Sequence, residues 1–171
     1  MIVSIQDFIA GGKFELHTGM YDQAKLIEYI DRYEPQYLRQ LLGVDLYNEF
    51  EADLILGAGV PTETRFLVIF DELNFDYSYC IYQSKGMKDI LLGFIYFEYV
   101  RDLDNQMTSI GNVLPKGENS DRVTSLDTRM WERYNESIKS YQAIQKYICR
   151  NTESYDYDKF NGRHKQTAYW I

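Results

Sequence analysis

Residues 86–103 (GMKDILLGFIYFEYVRDL) constrain the fold of this chain more than any other stretch. They read as one long helix running on to about residue 106, with the Ser84 hydroxyl placed to cap its first turn. Ile90, Leu91, Leu92, Phe94, Ile95, Tyr96, Phe97, Tyr99 and Val100 leave it almost no polar face. A surface helix has one apolar stripe, so this helix must be buried on more than one side, either by its own chain or by another subunit. It is too short, and too interrupted by Lys88, Asp89, Glu98, Arg101 and Asp102, to span a membrane.

A chain of 171 residues is expected to form one domain. At this size about 70% of the surface exposed by the unfolded chain can be buried, enough for one real core. Sixteen tyrosines give an aromatic content of 16%. Tyrosine combines a large apolar ring with a polar tip, which suits either a protein interface or core filling near the surface. A net charge of −8, with a sequence pI near 4.8, argues against a coat for nucleic acid, which needs clustered Lys and Arg. The same charge suits a wall past which DNA slides without sticking.

Taken in order, Ser4 and Asp7 have near capping-box spacing at the start of a short helix stopped by Gly11 and Gly12, and residues 13–19 form a connector. Residues 21–34 form a helix on Leu26, Ile27, Ile30 and Tyr33. Pro35 is expected to kink the chain into a second short helix over 36–42, ended by Gly43. Residues 44–56 form the next helix, with Asp45 as its cap and Leu46, Phe50 and Leu54 facing inward. Residues 62–85 alternate poorly and are expected to be extended or irregular, although Phe66 to Phe70 fits strand or helix. Residues 108–124 are polar and are expected to form an exposed arm or hairpin. The last long helix starts at Ser125 and ends near Arg150. Its stripe of Met130, Trp131, Tyr134, Ile138, Tyr141, Ile144 and Ile148 should pack antiparallel to the central helix. The fold class expected is therefore mainly α, a helical bundle over 1–150 with an extended tail over 151–171.

Chemistry-bearing patterns are sparse. No Gly-rich phosphate loop, zinc-protease motif or nucleophile elbow occurs. His17 and His164 are the only histidines and lie apart from other metal donors. Cys80 and Cys149 lack zinc spacing and fit free thiols in a reducing compartment, with a disulfide left open. Acidic pairs such as Asp45/Glu49, Glu51/Asp53, Asp71/Glu72 and Asp102/Asp104 read as solvated faces. Glu98, Arg101 and Asp102 form either a local ion pair or an intersubunit one. No catalytic residue, metal or cofactor is expected. The chain shows neither a signal peptide nor a transmembrane segment and is expected to be made in a cytosol. The tail is rich in aromatics for a free end, which suggests an anchor, with a tail folded back on its own domain as the alternative.

The order of these pieces resembles the head–tail adaptor proteins (connectors, head-completion proteins) of tailed bacteriophages. The nearest form is that of phages of gut Bacteroidetes, including crAss-like phages, where such subunits are called ring proteins. The resemblance rests on residues 30–50 (IDRYEPQYLRQLLGVDLYNEF) and 84–101 (SKGMKDILLGFIYFEYVR), with 108–113 (TSIGNV) and 118–120 (ENS), and covers about residues 21–150. The longer middle segment at 62–85 and the aromatic tail depart from smaller adaptors. What the resemblance implies is a virion subunit, made in the host cytoplasm, that forms a ring, taken as dodecameric, in the neck beneath the portal. The ring extends the DNA channel, passes DNA without reading its sequence and offers a platform to the next neck or tail protein. On that footing the portal-docking residues are Tyr155, Tyr157, Phe160, Arg163, Lys165, Tyr169 and Trp170. The intersubunit residues are Tyr96, Glu98, Tyr99, Arg101, Ile110 and Val113. The competing readings are a soluble helical protein-binding module outside the virion and, further off, a small helical enzyme using paired carboxylates.

Overall fold

The computed structural model describes residues 1–10, 12–16, 21–104, 106–108, 111–113, 125–155 and 161–167, with backbone alone at 104, 106–108, 111–113 and 125–128. The fold is mainly α. After a short 3-10 turn at Ile5–Phe8 come α1 (Gln23–Leu42), α2 (Val44–Leu56) and α3 (Thr64–Phe70). Strands β1 (Leu73–Tyr77) and β2 (Cys80–Ser84) form an antiparallel hairpin. Then follow α4 (Met87–Asp104), a small hairpin of β3 (Gln106–Thr108) and β4 (Gly111–Val113), α5 (Ser125–Arg150) and the single turn α6 (Thr152–Tyr155).

Helix α4 is the axle, and its own chain covers it. On one side α1 runs antiparallel to it: Tyr37 packs on Phe94 at 4.6 Å and Tyr29 meets Tyr99 edge-on at 5.3 Å. On another side α5 also runs antiparallel, with Phe94 against Tyr141 and Phe97 against Tyr134 and Trp131. Phe14 from the N-terminal segment closes over Tyr96. The apolar residues that left α4 without a polar face are thus needed inside one subunit. Gly93 marks the tightest α4–α5 approach, where a Cβ atom would lie 1.9 Å from the Ser137 hydroxyl. Gly86, at φ +89°, turns the chain into α4 so closely that a Cβ would meet the Phe70 carbonyl at 2.6 Å. Ser84 serves that turn, its hydroxyl accepting from the Gly86 N–H at 3.2 Å.

Three local expectations are corrected. Helix α1 runs unbroken through Pro35, because packing of both halves against α4 and α2 outweighs one missing backbone hydrogen bond. Helix α2 begins directly after Gly43, with no side-chain cap of its own, and Asp45 lies in its first turn. Residues 62–85 are neither extended throughout nor irregular, since Thr64–Phe70 is helical and buries Phe66 and Ile69 against the core. The Asp53 carboxylate closes the corner before α3, accepting from the N–H groups of Thr62 at 2.8 Å and Glu63 at 3.0 Å and from the Thr62 hydroxyl.

Candidate interaction surfaces

Helix α4 carries a polar seam facing α1. The Tyr37 hydroxyl donates to Glu98 Oε1 at 2.6 Å, Arg101 pairs with Glu98 Oε2 at 2.5 Å, and the Tyr29 hydroxyl donates to Asp102 at 2.6 Å. Burial, then the carboxylate each one faces, pushes the Tyr29 and Tyr37 hydroxyls well above their ordinary pKa. They stay protonated and act as donors that hold α1 to α4. The expected intersubunit residues Glu98, Tyr99 and Tyr96 are therefore internal. Tyr99 is 1% exposed, and its hydroxyl accepts from the Asp22 N–H at 2.9 Å, tying down the start of α1. Tyr96 sits under Phe14 and the Arg133 guanidinium. Arg101 remains partly exposed. Ile110 and the Val113 side chain lie outside the described residues.

The described parts of the C-terminal segment, 151–155 and 161–167, pack on the protein's own domain. Tyr155, expected on a partner, is buried in the core: its hydroxyl donates to the Arg65 carbonyl at 2.6 Å and its ring meets Tyr147 edge-on. An aromatic ring next to an open groove between α3 and α5 is better desolvated there than free. Residues 161–167 form a strap across the α1–α2 corner. Asn161 Oδ1 accepts from the Val44 N–H at 2.9 Å, and the Arg163 N–H donates to the Gln40 carbonyl at 2.6 Å. Gln142 and Gln145 on α5 donate to the strap carbonyls of Lys165 and Arg163. The Lys165 ammonium lies over Tyr37 at 4.6 Å and Phe94 at 5.3 Å, where burial, then Arg163, lowers its pKa. Arg163 and His164 face solvent. Tyr157, Phe160, Tyr169, Trp170 and His17 lie outside the described residues.

Two apolar clusters on the described surface have no counterpart among the described residues. The first is the β1–β2 tip. Tyr77 pairs with Cys80, so the turn has two residues, Ser78 and Tyr79, both left-handed at φ +47° and +66°. That is the geometry of a tight hairpin turn usually given to Asn-Gly, and a bulky residue there is strained. Tyr79 is 110% exposed and Ile81 73%, with Tyr77 beside them. The base of the hairpin is firmly held. Phe75 stacks on Tyr82 and meets Tyr147, while Arg150 donates to the Asp76 carbonyl at 2.7 Å. Lys146 and Arg150 lie over the Tyr77 ring.

The second is an open cleft of about 340 Å³ between α1, α2 and the N-terminus. Ile30, Leu38, Phe50 and Leu54 form its floor, and Met1, Ile55 and Ala58 its lip. Leu56 and Val60, next to that lip, are 82% and 51% exposed. Its charged lining is acidic: Asp31, Glu34 and Glu51. Glu34 is buried and engaged by the N–H groups of Ile2 and Val3 at 2.8 and 3.0 Å.

Among the described residues no group of His, Cys, Asp and Glu is arranged to hold a metal ion, and no helix is long and apolar enough to cross a membrane. Cys80 and Cys149 are exposed and unpaired. Sequence reasoning missed both apolar clusters. The adjacent Ile55 and Leu56 before a Gly-rich turn were the only sequence signal for the second. Comparison with protein-family models, curated proteins and solved structures found no match for this chain.

Proposed function

We propose that this protein is a ring-forming adaptor subunit of a tailed-phage neck, seated between the portal and the next neck or tail protein. The observation that carries the reading is the display of large apolar side chains at two separate places on the described surface, outside the buried core. Tyr79 and Ile81 project from the hairpin, and Ile55 stands at the lip of an open cleft, with Leu56 and Val60 exposed next to it. A subunit built to stand among neighbours has reason to keep such side chains outside. The α1–α2 corner and α4, which carry the sequence resemblance, supply the rigid frame. The net charge of −8 suits a DNA conduit that does not grip its cargo. The role is structural, with no catalytic residue or cofactor. The portal contact falls to the end of the chain, through Tyr157, Phe160, Arg163, Tyr169 and Trp170.

The test is to mix the purified protein with its cognate portal and weigh the complexes by native mass spectrometry. The expected result is a portal carrying a whole ring of subunits, and the protein recovered in purified virions. A chain that neither binds the portal nor occurs in virions overturns the reading. The strap folded onto its own domain favours, as a second reading, a soluble helical binding module. That module would be a monomer and would not sediment with particles.

A further inference from the structure

We infer that copies of this chain associate head to tail, the β1–β2 tip of one entering the α1–α2 cleft of the next. This contact deepens the ring reading and rests on it for closure. The two surfaces complement each other in shape and in charge. The tip offers one fully exposed aromatic ring, Tyr79, with Ile81 on one face of the strand pair and Tyr77 on the other, the pair being clamped to α5. The cleft is apolar at its floor and open at its lip, and its volume is within the range of about 300–1,000 Å³ that seats a small ligand or an anchoring side chain. Lys146 and Arg150 lie over the Tyr77 ring at the base of the tip, where Asp76 is the acid within the two strands, while the Ile81 side of the hairpin shares a groove with Glu72 and Glu136 and with Lys85 and Lys139. The cleft lining brings Asp31, Glu34 and Glu51; Glu34 is engaged by the Ile2 and Val3 N–H groups, and the Arg39 guanidinium lies over the Tyr47 ring beside Glu51, which leaves Asp31 as the acid for the tip cations. Within one subunit the hairpin is held on α5, whereas the cleft is walled by α1 and α2.

Such a contact uses different patches on the two partners. It is therefore heterologous, and repeated about a rotation axis it builds a ring. An exposed tyrosine buries roughly 150–250 Å² when covered, so the tip supplies about 400 Å² per partner once Ile81 is included. That is about 800 Å² in total, below the roughly 1,200–2,000 Å² of a stable specific interface, so two free copies bind only weakly and transiently. A closed ring adds a second such contact to every subunit and multiplies the effect. Strain in the Ser78–Tyr79 turn fixes the direction of the ring that must enter the cleft.

Cys80 supplies the probe, because it sits at the tip and is exposed. In a Cys149→Ser background, Ala58→Cys places a second thiol on the cleft lip. The purified full chain, concentrated and treated with a short bismaleimide, is expected to give a ladder of linked multimers. Peptide mapping should locate the link between Cys80 and position 58. Cys80→Ser should abolish the ladder. Tyr79→Ser should cut its yield about tenfold, as loss of an interface anchor does, without changing the melting temperature. Lys146→Glu and Asp31→Lys should each weaken it, and together restore it. Multimers that form without this link, or a ladder indifferent to Tyr79→Ser, would overturn the contact while leaving the ring reading to the portal experiment. A chain that stays monomeric and unlinked at the highest attainable concentration would overturn it too.

Discussion

Replacement of Tyr155 by alanine separates a core residue from a docking residue. The side chain is 1% exposed, and burying an aromatic of its size removes about 150–250 Å² from water. At about 25 cal/mol per Å² that corresponds to roughly 4–6 kcal/mol. A denatured chain already buries some of this area, which lowers the figure by about 10–40%, to a span of about 2.4–5.4 kcal/mol. Measured aromatic-to-alanine changes in cores fall in the same range of about 3–5 kcal/mol. The hydroxyl contributes little of it. Tyr155→Phe removes only the 2.6 Å bond to the Arg65 carbonyl and should cost about 1 kcal/mol. Urea titration followed by far-UV circular dichroism measures both. With a slope of about 2 kcal/mol per molar, the midpoint should fall by about 1.5–2.5 M for Tyr155→Ala and by about 0.5 M for Tyr155→Phe. The slope itself should not change. A Tyr155→Ala protein within about 1 kcal/mol of the parent would refute the reasoning, because no buried aromatic is deleted that cheaply. It would return Tyr155 to the set of residues free to meet a partner.

Further outcomes follow from other sites. Gly86→Ala should destabilise by about 1–3 kcal/mol, since the residue is left-handed and the obstacle is the Phe70 backbone carbonyl; thermal unfolding reads this. Gly93→Val should cost about 1–3 kcal/mol by overpacking the α4–α5 crossing, and Ser137→Gly in the same chain should recover part of it. A double-mutant cycle showing strict additivity would contradict that contact. Burial pushes the Asp7 and Asp53 carboxyls up, but hydrogen bonds from Lys88 and Ser4 to the first, and from Thr62 and Glu63 to the second, outweigh it. Both are held below their ordinary value of 3.8. Such depressed groups stabilise the fold above the unfolded pKa and stop doing so as pH falls through the folded one. The melting temperature should therefore drop in acid below about pH 4, and less steeply once Asp7 and Asp53 are both replaced by Asn.

The long helices were legible because they bury broad, periodic faces over many turns. Helix α5 repeats its stripe from Met130 to Ile148, and α4 announced its central place by lacking a polar side. Short elements were not legible. The apolar run in α3 is too brief for a helical period to separate from a strand. The β1–β2 hairpin hides its alternation because both strands are largely exposed, and its turn lacks the glycine that usually marks one. The continuity of α1 through Pro35 depends on packing along both halves, which a local rule does not see. The candidate surfaces were the least readable. Exposure of Tyr79 and Ile55 is a property of what the fold leaves uncovered, and the same letters inside α4 are core.

The strap has a consequence for observation as well as for architecture. The Val44 N–H, in the first turn of α2, has its hydrogen-bond acceptor in Asn161, which is 117 positions away. An amide there exchanges its proton with water quickly unless that acceptor is in place. Val44 is thus a native reporter of whether the end of the chain lies down or has lifted. Its exchange rate in the free protein, and again after addition of a partner, follows the C-terminus through recruitment without any label.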